Sequence, residues 1–75
     1  MTHMKTKMIL RSVGRNIKAR RKELGISLRE LERLTGGKSS FGNISKIENE
    51  GCNIKLDTLY KLARALKVEA KELLP

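Results

Sequence analysis

Glycine breaks at Gly25, Gly36-Gly37 and Gly51 divide this chain into segments whose apolar residues recur at helical spacing, and that pattern constrains the fold more than any other feature. Leu10, Val13, Ile17 and Leu24 share one face of a first helix that stops at Gly25. Ser27 then caps a short second helix, with Glu30 placed to reach back to the cap and Leu28, Leu31 and Leu34 as its apolar stripe. Ser39 or Ser40 caps a third helix that runs to about Asn49 and buries Ile44 and Ile47. Beyond Gly51, the spacing of Leu56, Leu59, Leu62, Ala63 and Leu66 predicts a fourth helix, with Asp57 suited to its first turn and Arg64 and Lys67 to its last. Residues 69–74 predict a short fifth helix, with Val68, Leu73 and Leu74 returning to the core. No Val-Ile-Thr-rich alternation occurs and no proline precedes Pro75, so nothing reads as a strand. The expected class is all-α, a compact five-helix domain.

With 75 residues the chain makes one small domain with a modest core, for which a partner or a second copy adds stability. The expected division is a basic N-terminal arm over residues 1–9 and a folded domain over residues 10–75. The arm is disordered or in part a cloning remnant, since residues 1–4 read as either a vector scar or a native start. Net charge is +9 and the sequence pI is 10.2, a self-repulsion that an anionic partner relieves, with nucleic acid the first candidate. Lys5, Lys7, Arg11, Arg15, Lys18, Arg20, Arg21 and Lys22 all precede the first acid, Glu23. Such a run also suits a plain solvated helix, but it lacks the Trp and Phe that membrane-surface helices set opposite their basic face.

No apolar run approaches the roughly 18 residues of a membrane span, and no signal peptide is read at the N-terminus. Cys52 is the only cysteine, so no internal disulfide forms and a reducing cytoplasm is the expected setting. An enzyme is not expected. His3 is the only histidine, Cys52 has none nearby, and the acids are scattered among basic residues, so no nucleophile-base pair, metal cluster or cofactor site is read. Gly36-Gly-Lys-Ser-Ser40 looks like the end of a phosphate loop, yet it lacks both the preceding strand and the first glycine.

Two short helices about a glycine turn in a basic all-α domain suggest a helix-turn-helix, although small bundles also contain tight helical hairpins. Identities then add to spacing. Ile17-Lys-Ala-Arg-Arg-Lys-Glu-Leu-Gly-Ile-Ser-Leu-Arg-Glu-Leu31, Gly36, Ile44-Ser-Lys-Ile-Glu-Asn49 and Leu56-Asp-Thr-Leu-Tyr-Lys-Leu-Ala-Arg-Ala-Leu66 follow in order. Together they resemble the lambda-repressor-like family of DNA-binding domains, also called Cro/C1 or Xre. The resemblance covers about residues 12–74.

It implies a five-helix fold whose third helix enters the DNA major groove, and an ion pair between Arg21 and Glu48. It makes Ser40, Phe41, Gly42, Asn43 and Lys46 the base-contacting set, with Asn43 suited to adenine, Lys46 to guanine or phosphate, and Phe41 to a thymine methyl. Ser27, Arg29, Lys38, Ser45, Asn49, Asn53 and Lys55 are expected on phosphate. Lys5, Lys7 and Arg11 are read as a solvated tail or as an arm along DNA.

The chain departs from the family pattern at several places, among them Ile54, which replaces a frequent proline. Leu28 stands where Gln is usual, and Glu32 where a small residue lets the two helices approach. The turn Gly36-Gly-Lys-Ser-Ser40 is two residues longer than usual and lacks its aliphatic plug, so Phe41 reads either as a groove contact or as a replacement plug. Glu50 precedes Gly51 where glycine itself is common. The function implied is a sequence-specific double-stranded DNA-binding transcriptional regulator, a repressor acting as a homodimer. The alternative is a protein-interaction module, such as an antitoxin or phage accessory protein, whose main partner is another protein.

Overall fold

The computed structural model describes residues 2–75, with side chains from Lys5 onward; Met1 and the side chains of residues 2–4 lie outside the described residues. Helix α1 is Thr2–Glu23, α2 Leu28–Leu34, α3 Phe41–Glu50 and α4 Leu56–Ala65, and a single 3-10 turn, Ala70–Leu73, ends the fold. No strand forms among the described residues. The all-α class therefore holds, with four α-helices and a 3-10 turn in place of five helices.

The first helix starts far earlier than expected, so residues 2–9, read as an arm, are helical. The physical reason is cooperativity. Once the packed half of α1 is formed, each further turn adds backbone hydrogen bonds without a new nucleus, and no Pro or Gly before Gly14 interrupts it. Residues 5–9 are all exposed, with Met8 66% accessible.

One core holds the helices together: Val13 and Ile17 from α1, Leu31 from α2, Ile44 and Ile47 from α3, and Leu59, Leu62, Ala63 and Leu66 from the α4 region, closed by Leu73. Its central contact is α1 on α3, and Gly14 makes this possible. A β-carbon built on residue 14 would overlap the carbonyl oxygen of Ile47 and come within 3.2 Å of that of Glu48. The two helix backbones thus touch directly, an approach open only to glycine.

Some expected core residues face out instead. Leu34, the last residue of α2, and Leu74 are each 45% exposed, and Leu56 is exposed at the start of α4. Leu74 leaves the 3-10 turn in extended backbone, φ −84° and ψ 153°, and in an extended chain successive side chains point to opposite sides, so burying Leu73 turns its neighbour to solvent. Lys67, expected inside the last turn of α4, follows its C-cap with φ 60°. There the Val68 amide donates to the Ala63 carbonyl at 3.0 Å and closes the helix end.

Candidate nucleic-acid interface

The third helix is capped by Ser40, whose hydroxyl accepts the Asn43 amide at 3.1 Å. Its inner face is Ile44, Ile47 and Glu48, all buried. Helical spacing then turns Phe41, Gly42, Asn43 and Lys46 outward, where all four are exposed. The first turn contains no acid, so the positive end of the helix dipole is unopposed there. Gly42 has nothing within 4 Å of a built β-carbon, so no packing demand selects that glycine.

Arg21 and Glu48 hold this helix to α1. The Arg21 Nε and Nη2 donate to the two carboxylate oxygens of Glu48 at 2.8 and 3.0 Å, and Nη1 donates to the Ile26 carbonyl at 3.0 Å. Side-chain exposure is 11% for Arg21 and 1% for Glu48. The hydrogen bond to Glu48 raises the Arg21 pKa against the opposing effect of burial, keeping the guanidinium charged. One side chain thus joins α1, the α1–α2 turn and α3.

The α2–α3 turn carries Gly36 and Gly37 at φ 73° and 76°, both in the left-handed region. The plug in this turn is polar. Thr35 and Ser39 are buried; the Thr35 hydroxyl donates to the Glu32 carbonyl at 2.7 Å and accepts the Ser39 amide at 3.4 Å. Phe41 is not the replacement plug, because it is 39% exposed and lies outside the core. The Arg29 guanidinium carbon stands 4.3 Å from its ring centroid instead.

Of the remaining positions named from the sequence, Ser27, Lys38, Asn53 and Lys55 are exposed, Ser27 at the start of α2, Lys38 in the α2–α3 turn, and Asn53 and Lys55 between α3 and α4. Ser27 caps α2 by accepting the Glu30 amide at 3.0 Å. The Glu30 carboxylate does not reach back to this cap; it pairs with Arg33 one turn on, a closer partner of opposite charge. Glu32 is half-buried and makes no ion pair with Lys46 or Arg29 among the described residues. Ser45 and Asn49 bond each other. The Asn49 amide donates to the Ser45 carbonyl at 2.9 Å and hydroxyl at 3.3 Å, because positions four apart stack on a helix.

Lys18, not singled out from the sequence, donates to the Asn49 side-chain oxygen at 3.1 Å and adds a cation beside the end of α3. Its spacing from Gly14 and Arg21 on α1, one turn to each, is the signal that points to this face. No group of His, Cys, Asp and Glu able to hold a metal exists among the described residues. No helix among them is long and apolar enough to cross a membrane.

A model of the helix-turn-helix family, Cro/C1 type, matches residues 17–73. Two solved structures are similar. The restriction-modification controller protein C.AhdI from Aeromonas hydrophila has a TM-score of 0.78 and 30% identity, covering 85% of this chain and 90% of that one. The DNA-binding domain of BldD has a TM-score of 0.80 and 25% identity, covering 92% of this chain and 97% of that one. No curated relative matches the chain.

Proposed function

From the premise that this chain belongs to the Cro/C1-type helix-turn-helix family, we propose that it is a sequence-specific regulator of transcription that reads double-stranded DNA with α3. A DNA-binding regulator, not an enzyme, is what the family and both neighbours support at the coarser level. The observation that carries the finer reading is the outward face of α3. After Ile44, Ile47 and Glu48 have gone to the core, Phe41, Gly42, Asn43 and Lys46 remain exposed, with no acid in the first turn.

In this reading α3 lies in the major groove with Ser40 at its entrance. Asn43 makes paired hydrogen bonds to adenine, Lys46 donates to guanine, Phe41 lies against a thymine methyl, and Gly42 lets the backbone come close. Ser27, Lys38, Asn53 and Lys55 hold the flanking phosphates and set the register. Ser45 and Asn49 act at the same edge, with Asn49 presenting the Lys18 ammonium to the backbone. The regulator acts as a homodimeric repressor in the cytoplasm, its two α3 helices reaching half-sites about 34 to 36 Å apart.

A fluorescence-anisotropy titration tests the proposal, using a labelled duplex from immediately upstream of the gene for this chain and a scrambled duplex of equal length. The expected result at moderate salt is a preference on the order of 10³ or more for the upstream duplex. Equal affinity for the two would refute sequence-specific binding there.

A further inference from the structure

Arg29 lies in the first turn of α2, and Phe41 is the first residue of α3. Their contact, 4.3 Å from guanidinium carbon to ring centroid, joins the starts of both helices of the helix-turn-helix. Several other arginines are already engaged. Arg20 donates to the Leu66 carbonyl, Arg21 to Glu48 and the Ile26 carbonyl, and Arg33 to Glu30. Among the described residues no hydrogen bond or ion pair engages Arg29, so the ring holds the guanidinium while its N–H donors stay available.

We propose that Arg29 reads a base, with Phe41 as the residue that positions it. The ring-held guanidinium takes the O6 and N7 acceptors of a guanine, and the uncovered part of the ring lies against the methyl of a neighbouring thymine. This inference rests on the DNA-reading function above, and it moves Arg29 from the phosphate-gripping set to the base-reading one. Two physical points argue for the move. A phosphate needs only a positive charge nearby and accepts many rotamers, whereas a guanidinium whose carbon is held over a ring face at 4.3 Å has fewer rotamers open to it, as paired recognition of a base edge requires. The ring that holds it also belongs to α3 itself, at its groove-entering end.

The test begins with selection from a randomised duplex library by the wild-type chain, followed by anisotropy titrations on the selected duplex and all its single-pair substitutions. Arg29→Lys keeps the charge and removes the planar fork, Phe41→Leu keeps apolar surface and removes the ring, and Phe41→Tyr keeps the ring. Melting curves by circular dichroism establish that each variant is folded, as the exposure of both residues leads one to expect.

The expected result is one guanine at which the wild type discriminates by roughly tenfold or more, and at which both Arg29→Lys and Phe41→Leu fall to within about twofold of no preference. Phe41→Tyr retains more of that preference than Phe41→Leu, and 7-deazaguanine at the same position weakens the wild type but not Arg29→Lys. Uniform weakening of Arg29→Lys across all positions would return Arg29 to phosphate and overturn the proposal. Loss of the guanine preference in only one of Arg29→Lys and Phe41→Leu would overturn the coupling. A wild-type chain that selects no sequence would overturn the DNA-reading function together with it.

Discussion

Two glycines of this chain ask opposite things of a methyl group. At residue 14 a β-carbon would overlap the Ile47 carbonyl, so Gly14→Ala must push α1 away from α3 or deform one of them. The expected cost is about 2 to 3 kcal/mol, the scale of overpacking in a well-filled core, and urea denaturation would read it as a lower midpoint at unchanged slope. At residue 42 a β-carbon meets nothing, and the position is helical. Gly42→Ala is therefore expected to stabilise the free protein by about 0.5 to 1 kcal/mol while weakening binding to the selected duplex. Gains in both stability and affinity would show that the α3 backbone does not approach DNA at this residue. A helix propensity scale alone ranks the two substitutions alike, and only the packing of α1 on α3 separates them.

The helices are joined by polar contacts that can be removed singly. Thr35→Val keeps the shape of the residue in the α2–α3 turn but leaves the Ser39 amide without the threonine hydroxyl. It is expected to cost about 1 to 2 kcal/mol in a thermal melt. Removing one partner of the buried Arg21–Glu48 pair should cost more, about 3 to 5 kcal/mol, because the other charge stays buried and unmatched. A double-mutant cycle with Arg21→Met and Glu48→Leu checks this, the double variant being expected to lose less than the two single losses added together.

These contacts also explain what could be read from the sequence. Helices α2, α3 and α4 were legible because each carries a local apolar stripe, and Ser27 and Ser40 cap two of them within three residues. The start of α1 was not, since residues 5–9 are exposed with no buried face and follow only from cooperativity with the packed half. Leu74 was misplaced because the helical turn ends at Leu73 and the next residue is extended, which reverses its side. The Thr35–Ser39 plug depends on two left-handed glycines bringing hydroxyl and amide together, and the Arg29–Phe41 contact joins residues distant in sequence; no periodicity encodes either.

At the scale of the whole molecule, charge and shape set how the domain meets a polyanion. The long axis of 37 Å is close to the length of α1, about 33 Å at 1.5 Å per residue, so that helix spans the molecule. With a net charge of +9, affinity for a duplex is expected to fall linearly on a plot of log K against log salt. Lys38→Ala and Lys55→Ala should each make the slope shallower by about 0.9, with the order of preferred sequences unchanged, as anisotropy from low to moderate salt would reveal. A slope that does not change would mean that neither lysine meets phosphate.

The bare backbone contact at Gly14 has one more consequence, for anyone transplanting specificity between relatives. It sets how far α3 stands off the body of the domain, like a spacer of zero thickness. A relative bearing a side chain at the equivalent position must hold its third helix farther out or at another angle. Grafting Phe41, Gly42, Asn43 and Lys46 onto such a scaffold would deliver the right letters at the wrong depth, so donor and recipient should first be matched at the residue corresponding to Gly14.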